Sequence, residues 1–393
     1  MTRQQPHVIV VGGGYAGVMA ANRLMSRDDL TVTLVNPRAR FVERIRLHQL
    51  ANGGDDAVEE FDAVLNAGVR LVVDGADHID VAARRARLRS GTTLDYDYLV
   101  YAVGSTAAAP DGVAGAAEFA YPLGELEHAK RLRERLADTA HTAPVVVVGA
   151  GLTGIEAASE FAEAGRNVTL VSSIVGPSLS KPARRSVLRR LRKLGVEIID
   201  GPDATVTAVG PDHVALADGR PVRSAVTVWT AGFGVPGLAA ASGLTTDRLG
   251  RLLTDETLTS VDDDRIVAAG DAAAPSGLPY RMSCQASLPL GAQAANTVLA
   301  RIAGGVAADA TVPMNGQCIS LGRGAGTVQV QRRDDTPVNL YIGGRAGAFV
   351  KEQVCRFTMK FLSGEARKPG SYRSLKGPDR TDLIAAAEAV PVR

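Results

Sequence analysis

Cysteine is scarce in this 393-residue chain: only Cys284, Cys318 and Cys355 occur. Their spacings of 34 and 37 residues fit neither a disulfide framework nor a zinc ribbon, so no metal site is expected and the thiols read as reduced and structural. No two of them stand close enough in sequence to act as a neighbouring dithiol relay. No apolar run approaches the ~20 residues of a bilayer span, which excludes a spanning helix and leaves surface attachment open. The polar start, Met1 to His7, lacks the apolar stretch and small-residue cleavage site of a secretory signal, so a cytoplasmic location is expected. Neither sign of charge dominates: 44 Lys and Arg stand against 42 Asp and Glu, which argues against nucleic acid and for small-molecule chemistry. What the chain does have is length and 46% hydrophobic content, enough for two or three cores.

Residues His7 to Asn36 read as a strand (Val8 to Val11), a glycine turn, a helix through Leu24 and a second strand (Thr31 to Val35). Gly12, Gly14 and Gly17 form G-x-G-x-x-G between strand and helix. The first permits the tight turn, the second lets a pyrophosphate approach the backbone, and the third lets helix and strand pack closely. The helix amino terminus then offers unsatisfied N–H groups to phosphate. The same device returns at Pro144 to Ser173, with a strand at Val145 to Val148, glycines at 149, 151 and 154, a helix through Ala164, and a strand at Val168 to Val171. Two such fingerprints in the same strand-turn-helix context imply two dinucleotide sites.

Two more strands end in small residues: Tyr98 to Val103 closes on Gly104 and Ser105, and Val226 to Thr230 on Ala231 and Gly232. Such ends suit a chain passing close to a bound dinucleotide. A last strand, Arg265 to Ala269, ends in Gly270 and Asp271. The Asp271 carboxylate either accepts from ribityl or ribose hydroxyls or caps the helix that follows.

In this order, the motifs resemble the pyridine nucleotide-disulfide reductase superfold, nearest to type II NADH:quinone oxidoreductases and apoptosis-inducing-factor-like flavoproteins, over roughly residues 7 to 310. The resemblance implies an α/β fold of two doubly wound, Rossmann-like domains with a C-terminal α+β region. Its expected layout is a FAD domain (1–110), an inserted NAD(P)H domain (111–232), a return to the FAD domain (233–310) and a C-terminal region (311–393). FAD is expected on Gly12, Gly14, Tyr15, Ala16, Gly17, Asn36, Arg44, Arg46, Ala102, Gly104, Gly270 and Asp271. NADH or NADPH is expected on Gly149, Gly151, Thr153, Gly154, Ser172 and Gly232. Glu156, in the matching G-x-G-x-T-G-x-E, and Gln285, in a half-present Ala-Gln-x-Ala-x-Gln, are the expected catalytic residues. Arg46 or His48 would stabilise negative charge on a reduced flavin, or lie on the surface.

The departures carry information too. Asn36 and Ser172 stand where an acid usually grips ribose. Asn36 can still bond an adenosine ribose. Ser172 removes repulsion against a 2′-phosphate, and Arg184 and Arg185 either pair with that phosphate or begin a solvated basic helix, Ala183 to Leu194. Pro289 replaces the second glutamine and is expected to bend or restart its helix. The C-terminal region lacks strongly apolar aromatic helices, yet Phe349, Val350, Val354, Phe357, Phe361 and Leu362 form a stripe at helical spacing among seven basic residues. It packs on the flavin domain or a twin subunit, or weakly holds an anionic membrane surface. The tail after Pro378 reads as loosely ordered. The leading function is NAD(P)H oxidation with a quinone-like small molecule as electron acceptor. A pathway-specific flavoenzyme, a slow redox sensor and a reductase for an iron-sulfur protein are the alternatives.

Overall fold

Val8, Ile9, Val10 and Val11 are all buried, so their strand must be covered on both faces. In the computed structural model, which describes residues 5–54, 57–107 and 112–388, Val8 and Val10 enter one core while Ile9 and Val11 enter another. This strand, β1 (His7–Val11), leads into helix α1 (Tyr15–Leu24) and β2 (Thr31–Asn36). With β3 (Arg70–Val73) and β4 (Tyr98–Tyr101) they begin a parallel sheet, in which Val8–Val11 stand opposite Val32–Val35 on one side and Tyr98–Tyr101 on the other.

The chain then builds a second copy. Strands β5 (Ala120–Pro122), β6 (Pro144–Val148), β7 (Asn167–Ser172), β8 (Glu197–Asp200) and β9 (Val226–Trp229) lie in the parallel order β5-β9-β6-β7-β8, with α2 (Leu152–Glu163) and α3 (Lys181–Lys193) among them. Its valines divide as in β1, with Val145 and Val147 facing one core and Val146 and Val148 another. Helix α3 begins two residues before the expected Ala183, because Ser180 caps it and Pro182 suits its first turn. After β9 the chain returns, and β10 (Ile266–Ala268) pairs with β4 to complete the first sheet as β10-β4-β1-β2-β3. The fold is the expected pair of doubly wound units, one inserted in the other. The expected boundary at 110/111 lies outside the described residues.

Helix α4 (Cys284–Ile302) continues through Pro289 and does not restart there. In the second turn Pro289 forfeits a single backbone bond, and the buried Leu288, Leu290 and Ala292 press the helix onto α1. Gly291 makes the approach feasible: a Cβ there would lie 2.2 Å from the Ala16 carbonyl oxygen.

The C-terminal region forms an antiparallel sheet, β11 (Gly316–Ser320), β12 (Gly326–Gln331) and β13 (Pro337–Gly343), followed by the 24-residue α5 (Gly344–Arg367). Leu362 on α5 joins the α1 core, while Phe349, Val354, Phe357 and Phe361 remain exposed, so the apolar stripe divides between two surroundings. The tail after Pro378 is not loose in its described part. Arg380 is buried, pairs with Glu256 at 3.2 Å and stacks over the Tyr280 ring, leading into α6 (Thr381–Glu388). An acidic and an aromatic partner more than 90 residues upstream anchor it, which no local pattern announces. Among the described residues no helix is long and apolar enough to cross a membrane.

Candidate active site

The two glycine turns have the same geometry. Gly12 (φ 107°) and Gly149 (φ 95°) adopt backbone that L side chains avoid. A Cβ on Gly17 would sit 1.8 Å from the Gly12 oxygen, and one on Gly154 1.9 Å from the Gly149 oxygen. At Gly14 and Gly151, where the helices begin, a Cβ would meet nothing, so each helix amino terminus opens onto free space of the kind a pyrophosphate fills. The residues present therefore fit two dinucleotides. Gly154→Ala is expected to abolish NAD(P)H binding while leaving the flavin in place, with Gly17→Ala giving the converse, colourless protein; absorbance spectra and NAD(P)H titrations check both.

Asn36 is tied into the first glycine turn. Its Oδ1 accepts the Gly13 N–H (2.9 Å) and its Nδ2 donates to the Arg38 oxygen (2.7 Å), so the amide braces the first glycine turn. In the second unit the Ser172 hydroxyl donates to the Ile174 oxygen (3.1 Å). Arg184 Nε donates to the Gly176 oxygen (3.3 Å), and Gly176 N–H in turn bonds Ala150 within the turn. That places the Arg184 guanidinium beside the second nucleotide turn, while Arg185 is exposed.

Between the turns lies a cavity of about 1110 Å³. Tyr15, Arg44, His48, Ser105 and Asp271 reach it from the first unit, Thr153 and Glu156 from the second, and Gln317, Cys318 and Lys351 from the C-terminal region. Ala102 packs beneath Gly12, Gly104 turns the chain after β4 and Gly232 after β9. Ser105 Oγ donates to Asp271 (2.6 Å), and Arg44 Nη1 donates to Ser105 Oγ (2.9 Å). Ser283 caps α4, leaving the Asp271 carboxylate facing the cavity. The buried Tyr15 hydroxyl has no hydrogen-bond partner. Burial raises its pKa well above the usual phenol value. Arg46 turns elsewhere, pairing with Glu43 and with Glu352 of α5, each at 3.1 Å.

The cavity holds a buried polar centre. Glu156 accepts from the Ser320 N–H (3.0 Å) and hydroxyl (3.3 Å) and pairs with Lys351 Nζ at 2.9 Å. His48, 3% exposed, places Nε2 3.2 Å from Ser320 Oγ and Nδ1 3.9 Å from Glu156. Burial pushes the Glu156 carboxyl up, but Lys351, His48 and the Ser320 N–H outweigh it and hold the group below the usual carboxylate range. Burial pushes Lys351 down, and Glu156 reverses that and raises it. For His48 burial prevails, lowering its pKa to about 4. The imidazole is therefore neutral at pH 7, and the surface reading of His48 is overturned. Its contribution to stability is present above about pH 6.5 and lost as pH falls through about 4. NMR titration is expected to show no His48 protonation between pH 5.5 and 8; a midpoint near 6.5 would contradict this.

Lys351 carries no sequence signal beyond being one basic residue among seven; only the seating of α5 against β11 and α2 brings it to Glu156. The cysteines are free thiols, as the sequence reading had them. Spaced far apart along the chain, all three line this cavity, with no disulfide among them. Burial raises each thiol, Cys355 to about 11, so they are neutral near pH 7. Gln285 lies with its amide oxygen toward the Asn315 N–H (2.8 Å) and its nitrogen toward the Gly316 oxygen (2.9 Å), tied to the start of β11.

Two dinucleotide turns opening on one cavity with a buried acid–lysine pair define a two-nucleotide redox enzyme. The chain belongs to the pyridine nucleotide-disulphide oxidoreductase family, whose family model matches residues 6–296. FAD and a nicotinamide dinucleotide are its cofactors. It is 33% identical over 322 residues to an NADH dehydrogenase-like protein of Mycobacterium tuberculosis, covering 74% of this chain and 80% of that protein. It is 26% identical over 392 residues to a type II NADH:quinone oxidoreductase of Staphylococcus haemolyticus, covering 90% and 95%. Solved structures of the same fold include the sulfide:quinone oxidoreductase of Aquifex aeolicus (TM-score 0.77, 20% identity, 93% of each chain). NDH2 of Plasmodium falciparum with NADH has a TM-score of 0.76 at 14% identity, covering 94% of this chain and 99% of that one.

Proposed function

We propose that this enzyme oxidises NADH or NADPH and reduces a quinone or quinone-like small molecule in the cavity between the two glycine turns. The observation that carries this reading is the Glu156–Lys351 pair, buried at 2.9 Å and lining that cavity. Bound FAD supplies the two-electron transfer that links the nicotinamide to the acceptor. Gly12, Gly14 and Gly17, with Tyr15 and Ala16, hold its pyrophosphate end, while Arg44 and Asp271 face the cavity side. Gly149, Gly151, Thr153 and Gly154 position the nicotinamide nucleotide. Reducing a quinone to a quinol consumes two protons, one matching the hydride carried in and one from solvent; the Lys351 ammonium, held charged beside Glu156, is placed to stabilise the negative charge on the reduced acceptor until the solvent proton arrives.

The mouth of the cavity supports a lipophilic acceptor. Phe357 and Phe361 line it, stack at 6.2 Å and are nearly half exposed, with Lys360 over the Phe357 ring. An exposed aromatic rim with a basic neighbour suits weak contact with a membrane surface from which such an acceptor is drawn. At the second turn, Ser172 in place of an acid and Arg184 beside the turn support use of NADPH alongside NADH.

The test is anaerobic. NADH and NADPH are mixed separately with the purified yellow protein, and menadione is added once the flavin has bleached. Bleaching followed by rapid recolouring is the expected result. A flavin that bleaches and stays reduced would defeat the quinone reading.

A further inference from the structure

Two glutamines line the cavity and have different fates. The Gln285 amide is held between Asn315 and Gly316. Gln317, on β11, is 3% exposed and lines the cavity. Its Oε1 accepts from Ser178 Oγ at 2.7 Å, while its Nε2 is buried with no partner. The side chain is braced from behind, because Gln317 stands opposite Gln329 in the strand ladder and Gln329 Oε1 accepts the Ser180 N–H (2.9 Å). A buried amide N–H left unsatisfied is costly, and one fixed on the wall of a cavity is satisfied when a ligand brings an acceptor to it.

From this we infer that Gln317 is the polar anchor of the cavity, its amide N–H binding a carbonyl oxygen on the flat ring seated there. The inference rests on the proposed oxidoreductase reading and deepens it by naming the residue that would hold the ring. Two ligands share this chemistry: the carbonyl of a quinone acceptor and the carboxamide oxygen of the nicotinamide. Gln317 is a binding residue, with no role in moving electrons.

The test compares the full-length flavoprotein with Gln317→Leu and Gln317→Glu. The second keeps an oxygen for Ser178 and removes the N–H, so it remains informative if the first disturbs the Ser178 loop. Dissociation constants for NADH, NADPH and menadione are measured by equilibrium dialysis, which needs no turnover, and the KM of each half-reaction by stopped flow. Both variants are expected to weaken one ligand by about tenfold, the loss of one well-formed hydrogen bond. Weakened menadione with unchanged nucleotide identifies the acceptor carbonyl as the occupant. The reverse pattern identifies the nicotinamide carboxamide. If neither constant moves by more than twofold in either variant, the inference is overturned. Failure of the oxidoreductase reading shows separately, as a wild-type flavin that does not recolour with menadione whatever the dialysis gives.

Discussion

Lys351→Met is expected to lower quinone-dependent turnover by about a hundredfold or more and to destabilise the fold by about 3–5 kcal/mol, because it leaves the buried Glu156 carboxylate without its cation. With Lys351 gone, burial becomes the dominant influence on Glu156 and moves its pKa from below the usual range to above it. The sign of the pH dependence then inverts. In the wild type the depressed carboxyl contributes stability that is present above its unfolded value, about 4.3, and lost as pH falls below it. In the variant the raised carboxyl contributes stability that grows as pH falls from neutral. Urea unfolding at pH 3, 5 and 8 reads both slopes, the wild type's below pH 5 and the variant's above it, and identical slopes would contradict the buried pair. The double variant Lys351→Met/Glu156→Gln separates stability from chemistry. Two neutral partners remove the stranded charge, so most of the stability returns while turnover stays low. Recovery of turnover in the double variant would show that the pair serves the fold alone.

Glu365→Ala is the second large effect, with a loss of about 3–5 kcal/mol expected for breaking a buried ionic network. Glu365 is fully buried and accepts from Arg23 of α1, from the Gly370 N–H (2.7 Å) and from the Tyr372 N–H (2.6 Å). Arg23 also donates to the Tyr372 oxygen (2.7 Å), closing a loop that clamps the end of α5 onto the first helix of the flavin unit. Since α5 carries Lys351, loosening the clamp should raise the KM for the acceptor more than that for NAD(P)H. Thermal unfolding and the two half-reaction constants check it; a stability change within 0.5 kcal/mol would overturn the role assigned to Glu365.

Much of the fold was legible before any coordinates. Four-residue apolar runs ending in glycine gave β1, β6 and the strands beside them, since a strand buried on both faces cannot show alternation and must stop where a dinucleotide crosses its end. Local signals erred where packing overrides them. Pro289 reads as a bend or a restart, and the helix does not restart there, because one lost bond early in α4 is outweighed by the contact with α1. Arg380 reads as part of a loose tail and is buried against Glu256 and Tyr280.

The sequence by itself determined the two dinucleotide units, because glycine spacing and strand composition are local and act within one βαβ unit; the insertion of one in the other and the place of Glu156 came from the family resemblance. It could not determine the site between the units. Lys351, Gln317 and the three cysteines sit on one strand and two helices with no pattern that joins them, 128 or more residues from Glu156 along the chain. Only the seating of the C-terminal sheet and α5 against both units brings them to one cavity, where burial and the 2.9 Å Glu156–Lys351 contact set their charge states. Charge in a low-dielectric cavity depends on neighbours in space, and those neighbours are chosen by tertiary packing.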